Sequence, residues 1–326
     1  MQSAVIRILV LVLLVAVPFI QTNTYWQHVF GVALIGAILA LGLQLLVGRA
    51  GLLSLGQGAF YGIGAYVSAV LTLQFGVPFG LAFLAAGLAA AISSLLLVPI
   101  VKLPSSSLAV ATLGFNIIIY LIMLNEEWAT GGSYGLLNVP LPSIFGFEFT
   151  TERDLYFLIL AVTAAVYFAL DRLAHSRFGR ALKAIAQDED AARACGISIT
   201  RYKSKCFLVA AFTAGIAGSL YAHHARYLNP NDFTFNKSIE ILIMVVVGGL
   251  GSLPGAVIGA IVIVLMPEFL RSSGEWRLIL FGALVVVLMG VSRGGIAGLA
   301  PMLVRFIPGV RSGAGGKAVE SVEARR

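Results

Sequence analysis

The chain has 326 residues, 59% of them hydrophobic and only 11% charged, with a mean hydropathy of +0.95. So few charged residues cannot cover a soluble core of this size, and several runs reach the ~20 apolar residues that span a bilayer, so the composition describes a polytopic membrane protein. The net charge of +7 suits the cytoplasmic loops of such a protein, and no basic patch is interleaved with stacking aromatics, which argues against nucleic acid as a partner.

The first 24 residues, MQSAVIRILVLVLLVAVPFIQTNT, place Arg7 ahead of an apolar run, as a signal peptide does. No small-x-small cleavage site follows; Ala16-Val17-Pro18 is the nearest, and Pro18 is wrong for one. The segment reads as a retained first span. Apolar runs then recur at 4–21, 29–47, 56–73, 79–101, 107–124, 155–170, 206–222, 238–250, 254–270 and 277–292, giving ten candidate helices. Runs of this length rule out a barrel of short alternating strands and leave helices, which satisfy their own backbone in lipid.

Charge sets the orientation. Residues 171–205 hold eight basic side chains (Arg172, Arg177, Arg180, Lys183, Arg193, Arg201, Lys203, Lys205). Residues 125–154 hold Arg153 alone, against Glu126, Glu127, Glu148, Glu152 and Asp154. The first loop is therefore placed inside and the second outside. Ten crossings then put both termini in the cytoplasm. Only Arg153, Arg226, Lys237, Arg271 and Arg277 of the 22 Lys and Arg fall outside.

The segment SLGQGAFYGIGAYVSAVL (54–71) is apolar yet rich in glycine, a poor helix former by about 1 kcal/mol per residue relative to alanine. Gly58 and Gly62 are spaced i, i+4, as are Gly251, Gly255 and Gly259, and Ala214 with Gly218. Such spacing lets helix backbones approach closely in lipid. It equally suits helices that are broken and line a passage, and VGRAG and VGGLGSLPG both read as breaks. SLGQGAFYG at 54–62 also echoes SLPGAVIG at 252–259, which fits either a parallel repeat or chance likeness.

Ser54 and Gln57, three apart, are expected on one face at the start of the broken segment, with free N–H groups nearby to stabilise a passing carboxylate. Glu240, in SIEILIMVVV, is the deepest acid and could meet an ammonium group or simply stay hydrated at the outer surface. Ser54, Gln57, Gly58, Gly62 and Glu240 are therefore the candidate path residues. His28, His223 and His224 fall at span edges, where an amphipathic ring is ordinary. Cys195 and Cys206 stand without His or Cys at ligand spacing, so neither a disulfide framework nor a metal site is expected.

Enzyme motifs fail on context. GGSYG at 131–135 matches G-x-S-x-G but falls in an inter-helix loop rather than a strand–turn–helix elbow. SGAGGK near the C-terminus lacks the P-loop's first glycine and final Ser/Thr, since Arg311 and Ala318 occupy those places. No buried Ser/His pair or metal cluster is expected at membrane depth. No catalytic residue and no cofactor is assigned.

The most specific stretch is the inside loop RFGRALKAIAQDEDAARACGISITRYK, 177–203. Asp188 can cap a short helix with Glu189 and Asp190 at its positive end. Ala191, Ala192 and Ala194 give it a slim side. Gly196 suits a left-handed C-cap, followed by the apolar Ile197. An ordinary loop helix and a helix docking into a partner's groove both fit.

At Asp190–Gly196 the pattern D-A-A-x-x-x-G resembles the E-A-A-x-x-x-G coupling loop of bacterial ABC importer permeases, with Asp for Glu. LSLGQGAFYGIGAY, TGGSYGL, SRFGRALKAI and SIEILIMVVVGGLGSLPG, in this order over about residues 30–305, resemble the LivM-type subunit of the high-affinity branched-chain amino acid permeases. The resemblance implies an all-α ABC importer permease fold over residues 1–310, with a coupling loop at 171–205 and an external loop at 125–154. A disordered cytoplasmic tail is expected at 311–326.

It further implies that Asp190, Ala191, Ala192 and Gly196 couple to the ATPase. The implied partners are a second, H-type permease, two ATP-binding subunits that carry the ATP, an extracytoplasmic binding protein, and the lipid of a bacterial inner membrane. Ser133-Tyr134 depart from the Pro-Asn of many relatives, so the cargo is either a branched-chain amino acid or urea and short amides. An ion-coupled secondary carrier is the rival of another class. It usually needs several buried ionisable groups, where this chain offers one at most.

Overall fold

The computed structural model describes residues 14–19 and 23–271 except 145, together with 276, 279, 282–283, 286 and 295–296. The runs at 4–21 and 277–292 lie largely outside the described residues, and the tail at 311–326 lies wholly outside them. The described part is helical, with two small antiparallel strand pairs in its loops.

Helix α1 is Thr24–Ala50, α2 Gln57–Leu73, α3 Phe79–Ser94 and α4 Ser105–Asn125, followed by the single turn α5, Glu127–Thr130. Then come α6 (Glu152–His175), α7 (Arg177–Gln187), α8 (Glu189–Ala194), α9 (Ile199–Ala225), α10 (Phe235–Gly248) and α11 (Leu253–Phe269). Five described helices are long and apolar enough to cross a bilayer: α1, α3 with its continuation to Leu97, α4, α6 and α9. The expected run 79–101 is not one helix. It tightens to a 3-10 turn at Leu95–Leu97 and starts a second at Ile100–Lys102, next to Pro99, which has no N–H to donate to a continuing helix.

Two helices of 27 residues, α1 and α9, form the centre: 89% and 78% of their most apolar windows are buried, against 28–39% for α3, α4 and α6. A helix that is apolar all round belongs inside, and α1 is the clearest case. Asn23 starts it by accepting the Tyr25 N–H at 2.9 Å, and Gly51, at φ 65°, ends it.

Glycine lets α9 press against two neighbours with no side chain between. A Cβ on Gly64 would lie 2.2 Å from the Gly215 carbonyl oxygen, and one on Gly218 would lie 2.1 Å from that of Tyr61. On the other flank, a Cβ on Gly215 would lie 2.6 Å from the Ala86 oxygen of α3. In lipid, where apolar burial gives helices no reason to associate, such backbone contact supplies the dispersion that holds them. The three glycines that close α2 onto α9 are thus Gly64, Gly215 and Gly218, whereas Gly62 faces the side chains of Met123 and Phe233. A Cβ on Gly259 would lie 2.1 Å from the Met244 oxygen, so α10 and α11 form a hairpin packed equally closely. Gly251 precedes α11 rather than sharing a helical face with Gly255 and Gly259.

Both expected breaks are present. Residues 51–56 and 249–252 are non-helical, and the second of them packs on the last turns of α1: a Cβ on Gly48 would lie 2.6 Å from the Gly251 N. Gln44 of α1 donates to the Gly249 carbonyl at 3.0 Å. At the end that carries the 125–154 loop the bundle is tied by strand β1 (Leu136–Leu137) of the loop after α4. It pairs with β4 (Tyr227–Leu228) after α9, while β2 (Ser143–Ile144) and β3 (Phe147–Glu148) form a hairpin in the same loop.

Candidate translocation path and coupling surface

Helix α2 has 17 residues, about 25 Å at 1.5 Å per residue and short of a ~30 Å hydrocarbon core. The irregular stretch 51–56 makes up the difference, and irregular backbone at such depth needs partners inside the protein. Helix α4 supplies them. Ser105 Oγ accepts the Leu53 N–H at 3.0 Å and donates to the Gly51 carbonyl at 3.2 Å, while Thr112 Oγ1 accepts the Leu55 N–H at 2.9 Å.

Ser54 is fully buried in this stretch, its Oγ 3.4 Å from the Gly56 N–H. It therefore precedes the helix that Gln57 begins, and the two do not share a helical face as the spacing suggested. The helix N-terminus also differs from expectation. Gly56 offers no capping side chain, but the Gly58 N–H is taken by Ser238 Oγ of α10 at 2.8 Å, so that donor is not free for a passing carboxylate.

What the broken start does present is a pair of unengaged amides. Gln57 and Asn116 are both fully buried, and none of their four amide N and O atoms has a hydrogen-bond partner. A Cβ on Gly58 would lie 3.0 Å from Asn116 Oδ1, so the Asn116 amide lies beside the first turn of α2, which Gln57 begins. Buried polar groups are normally satisfied, so these two unmet amides make the start of α2 the candidate path site.

Above this point lies a cavity of about 380 Å³. Its polar lining includes Tyr61, Tyr221, Asp232, Lys237 and Glu240; its apolar wall is Val32, Ile35, Leu39 and Val264. Glu240 Oε2 pairs with Lys237 Nζ at 3.0 Å, and Tyr221 donates to Asp232 Oδ2 at 3.2 Å. Thr234 joins the cavity to the amides: it lines the cavity, and its carbonyl oxygen lies 3.2 Å from a Cβ built on Gly58. Gly62 stands beside the aromatic wall, where its missing side chain makes room for Met123 and for Phe233, which packs on Tyr61 with ring centroids 5.1 Å apart.

The loop between α6 and α9 forms the other surface. Ser176 caps α7, accepting the Phe178 N–H at 3.1 Å. Asp188 caps α8, one carboxylate oxygen accepting from Asp190 N at 2.9 Å and Ala191 N at 3.0 Å. The helix closes with the paired bonds of a Schellman ending: Ile197 N to the Ala192 oxygen at 3.1 Å and Gly196 N to the Arg193 oxygen at 3.0 Å, with Gly196 at φ 79°.

Ala192 is the exception to the expected slim face. It is buried against Ile185 and Ile199, while Asp190, Ala191 and Ala194 are exposed. Glu189 ties the helix to α9 through Lys203, whose side chain is only 4% exposed.

The family described as the branched-chain amino acid transport system permease component matches residues 25–289. This chain belongs to that family. The LivM permease protein of the high-affinity branched-chain amino acid transport system of Escherichia coli (strain K12) is 36% identical over 303 residues, covering 86% of this chain and 71% of that one. Its counterpart in Salmonella typhimurium is 35% identical over the same length. The LivH protein of the same E. coli system is 28% identical over 307 residues, 84% of this chain and 96% of that one. The chain is accordingly an ABC permease of the LivM type. No solved structure matches it.

In this permease the sequence reading missed Asn116, Ser238, Asp232, Lys237 and Lys203. Thr112 and Asn116, four apart in the apolar run of α4, were the available signal. The expectation of no buried Ser/His pair is also corrected. Ser68 Oγ lies 3.0 Å from His223 Nε2 and 2.7 Å from Ser219 Oγ, all three residues at most 1% exposed. The pair has no carboxylate behind it. His223 Nδ1 lies 2.7 Å from the Pro140 carbonyl, and the three groups complete one another's hydrogen bonds in a closed interior, which is a packing role. Ser133 of GGSYG is exposed in a 3-10 turn, as the loop context required.

Proposed function

We propose that this permease is the membrane-spanning, non-catalytic subunit of an ATP-driven importer in a bacterial inner membrane, passing branched-chain amino acids handed over by an extracytoplasmic binding protein. It pairs with an H-type permease, and two ATP-binding subunits hydrolyse ATP. The fold in this reading has ten spans with both termini in the cytoplasm. The observation that carries it is α8: a short helix capped at both ends, exposed along Asp190, Ala191 and Ala194, and anchored to a central span by Glu189 and Lys203. Such a helix can enter a groove of an ATP-binding partner without losing its shape. Closure of that partner on ATP would move α9 and open the path outward.

The cavity favours a zwitterion over the neutral amides of the alternative cargo. Lys237 can meet a carboxylate, Asp232 and Glu240 an ammonium, and the Val32–Ile35–Leu39 wall a branched side chain. An ion-coupled carrier is less well supported. Among the described residues the one buried Lys, Arg, Asp or Glu is Lys203, already paired.

Reconstitution with the partner subunits tests the reading: labelled leucine should enter vesicles only with ATP and binding protein. Gln57→Ala is expected to lower the maximal rate several-fold with little change in apparent KM, which the binding protein sets. Gly62→Leu should abolish uptake by driving Met123 and Phe233 into the aromatic wall. A strong rise in KM at unchanged maximal rate for Gln57→Ala would instead make the permease the tight binding site.

Orientation has its own check. A cysteine at exposed Leu137 should react with an impermeant maleimide in intact spheroplasts, whereas exposed Cys195 should not. Leu137 is a better position than Asn138, whose φ of 58° would strain a cysteine. Labelling of Cys195 from outside would invert the topology.

A further inference from the structure

At the end of the bundle that carries the 125–154 loop, three helices meet at their tips. His28 comes from the first turns of α1, Glu152 begins α6, and His224 is in the last turn of α9. His28 Nδ1 is 3.4 Å and His224 Nδ1 3.9 Å from the same carboxylate oxygen, Glu152 Oε2. One ligand atom from each residue lies within 4.8 Å of the others. The site is built rather than incidental. Gly31 has no side chain because the His224 ring occupies its place: a Cβ there would sit 2.8 Å from Cε1 and Nε2.

The hydrogen bonding of His224 selects its tautomer. Nε2 lies 3.1 Å from the His28 backbone carbonyl, which can only accept, so the proton belongs on Nε2. Nδ1 then presents a lone pair, and Glu152 is another acceptor. His224 has 1% of its side chain exposed, and its Nδ1 has no hydrogen-bond partner. A buried acceptor that faces another acceptor is costly. A cation between them removes the conflict, and the backbone carbonyl behind His224 is the kind of second-shell acceptor that metal-bound imidazoles use.

We propose that His28, Glu152 and His224 form a binding site for a divalent transition metal ion, with zinc the best fit. Two neutral imidazoles and a carboxylate are a zinc donor set, and they leave a fourth position for water. Bonds of about 2.0–2.1 Å in a tetrahedron place ligand atoms roughly 3.3 Å apart, close to the 3.4 and 3.9 Å seen. The two rings stack at 4.2 Å and 13°, so binding turns one of them out of the stack. His28, with 39% of its side chain exposed, is the one free to turn. The ion would cross-link α1, α6 and α9 at one surface of the bundle.

The test uses the full chain in lipid nanodiscs, stripped with a chelator, freed of any polyhistidine tag and titrated with zinc chloride. One zinc per chain should survive desalting. His28→Ala and Glu152→Gln, both at partly exposed positions, should fold normally and each weaken binding at least tenfold. Cobalt in the wild-type site should give the intense visible bands of a four-coordinate ion. Absence of retained zinc, or equal retention by wild type and both variants, would overturn the proposal.

Discussion

Gly64→Val should stop the permease from accumulating in the membrane. The new Cβ would overlap the Gly215 backbone, 2.2 Å from its oxygen and 2.4 Å from its Cα. Neither helix can give way easily, because Gly215 is itself pressed on α3 through Ala86 and Ala90. Overpacking a core that can shift costs about 1–3 kcal/mol. Here the obstacle is backbone on both sides, so the loss should exceed that range and take much of a marginal stability with it. Gly114→Ala is the control, since a Cβ there meets nothing within 4 Å. Quantifying folded protein after mild detergent extraction should show Gly114→Ala at wild-type level and Gly64→Val nearly absent. Comparable levels would mean that α2 and α9 do not meet in this way.

Ala191→Arg should fold, insert and yet fail to transport. Ala191 is exposed on α8, so the arginine disturbs nothing within the chain but occupies the face that the proposed coupling would offer to an ATP-binding partner. An intrusion costing ~3 kcal/mol at such an interface weakens the complex about a hundredfold. Ala192→Arg should fail differently. Ala192 lies against Ile185 and Ile199, so a charge there breaks the local cluster and lowers the folded level. Gly196→Val falls between the two: nothing crowds the position, but φ 79° is costly for a β-branched residue, so the ending of α8 should loosen. The measurement is pull-down of the ATP-binding subunit beside uptake of labelled leucine. Normal uptake in both Ala191→Arg and Gly196→Val would remove α8 from the coupling role.

The helices were legible because each apolar run is bounded by polar or turn residues, and the ends of α8 were legible because capping is local chemistry. Asp188 and Gly196 act within their own turn. The rotation of each span was hidden: when nearly every residue is apolar, no stripe says which face turns inward. Spacing alone therefore points to Gly62 rather than Gly64 for close packing, and to Ala192 on the exposed side of α8. Long-range partners were hidden for another reason. Ser105 and Thr112 complete a break some fifty residues earlier in the chain, and Ser238 meets Gly58 across 180 positions. His28, Glu152 and His224 come from three separate helices, so no spacing rule could join them.

One feature of α9 bears on how force crosses the protein. Its 27 residues form a rod about 40 Å long. Lys203 is held to Glu189 at one end, and His224 sits among the tips of α1 and α6 at the other. Between them Gly215 and Gly218 act as a fulcrum on α2 and α3, with no compressible side chain to absorb motion. A tilt of a few degrees about that fulcrum shifts the Lys203 end by about an ångström and the nearer His224 end by roughly half as much, in the opposite direction. In the proposed importer the stroke would then be transmitted as rigid leverage, without a relay of rotamer changes. Softening the fulcrum should slow transport even where both ends are intact.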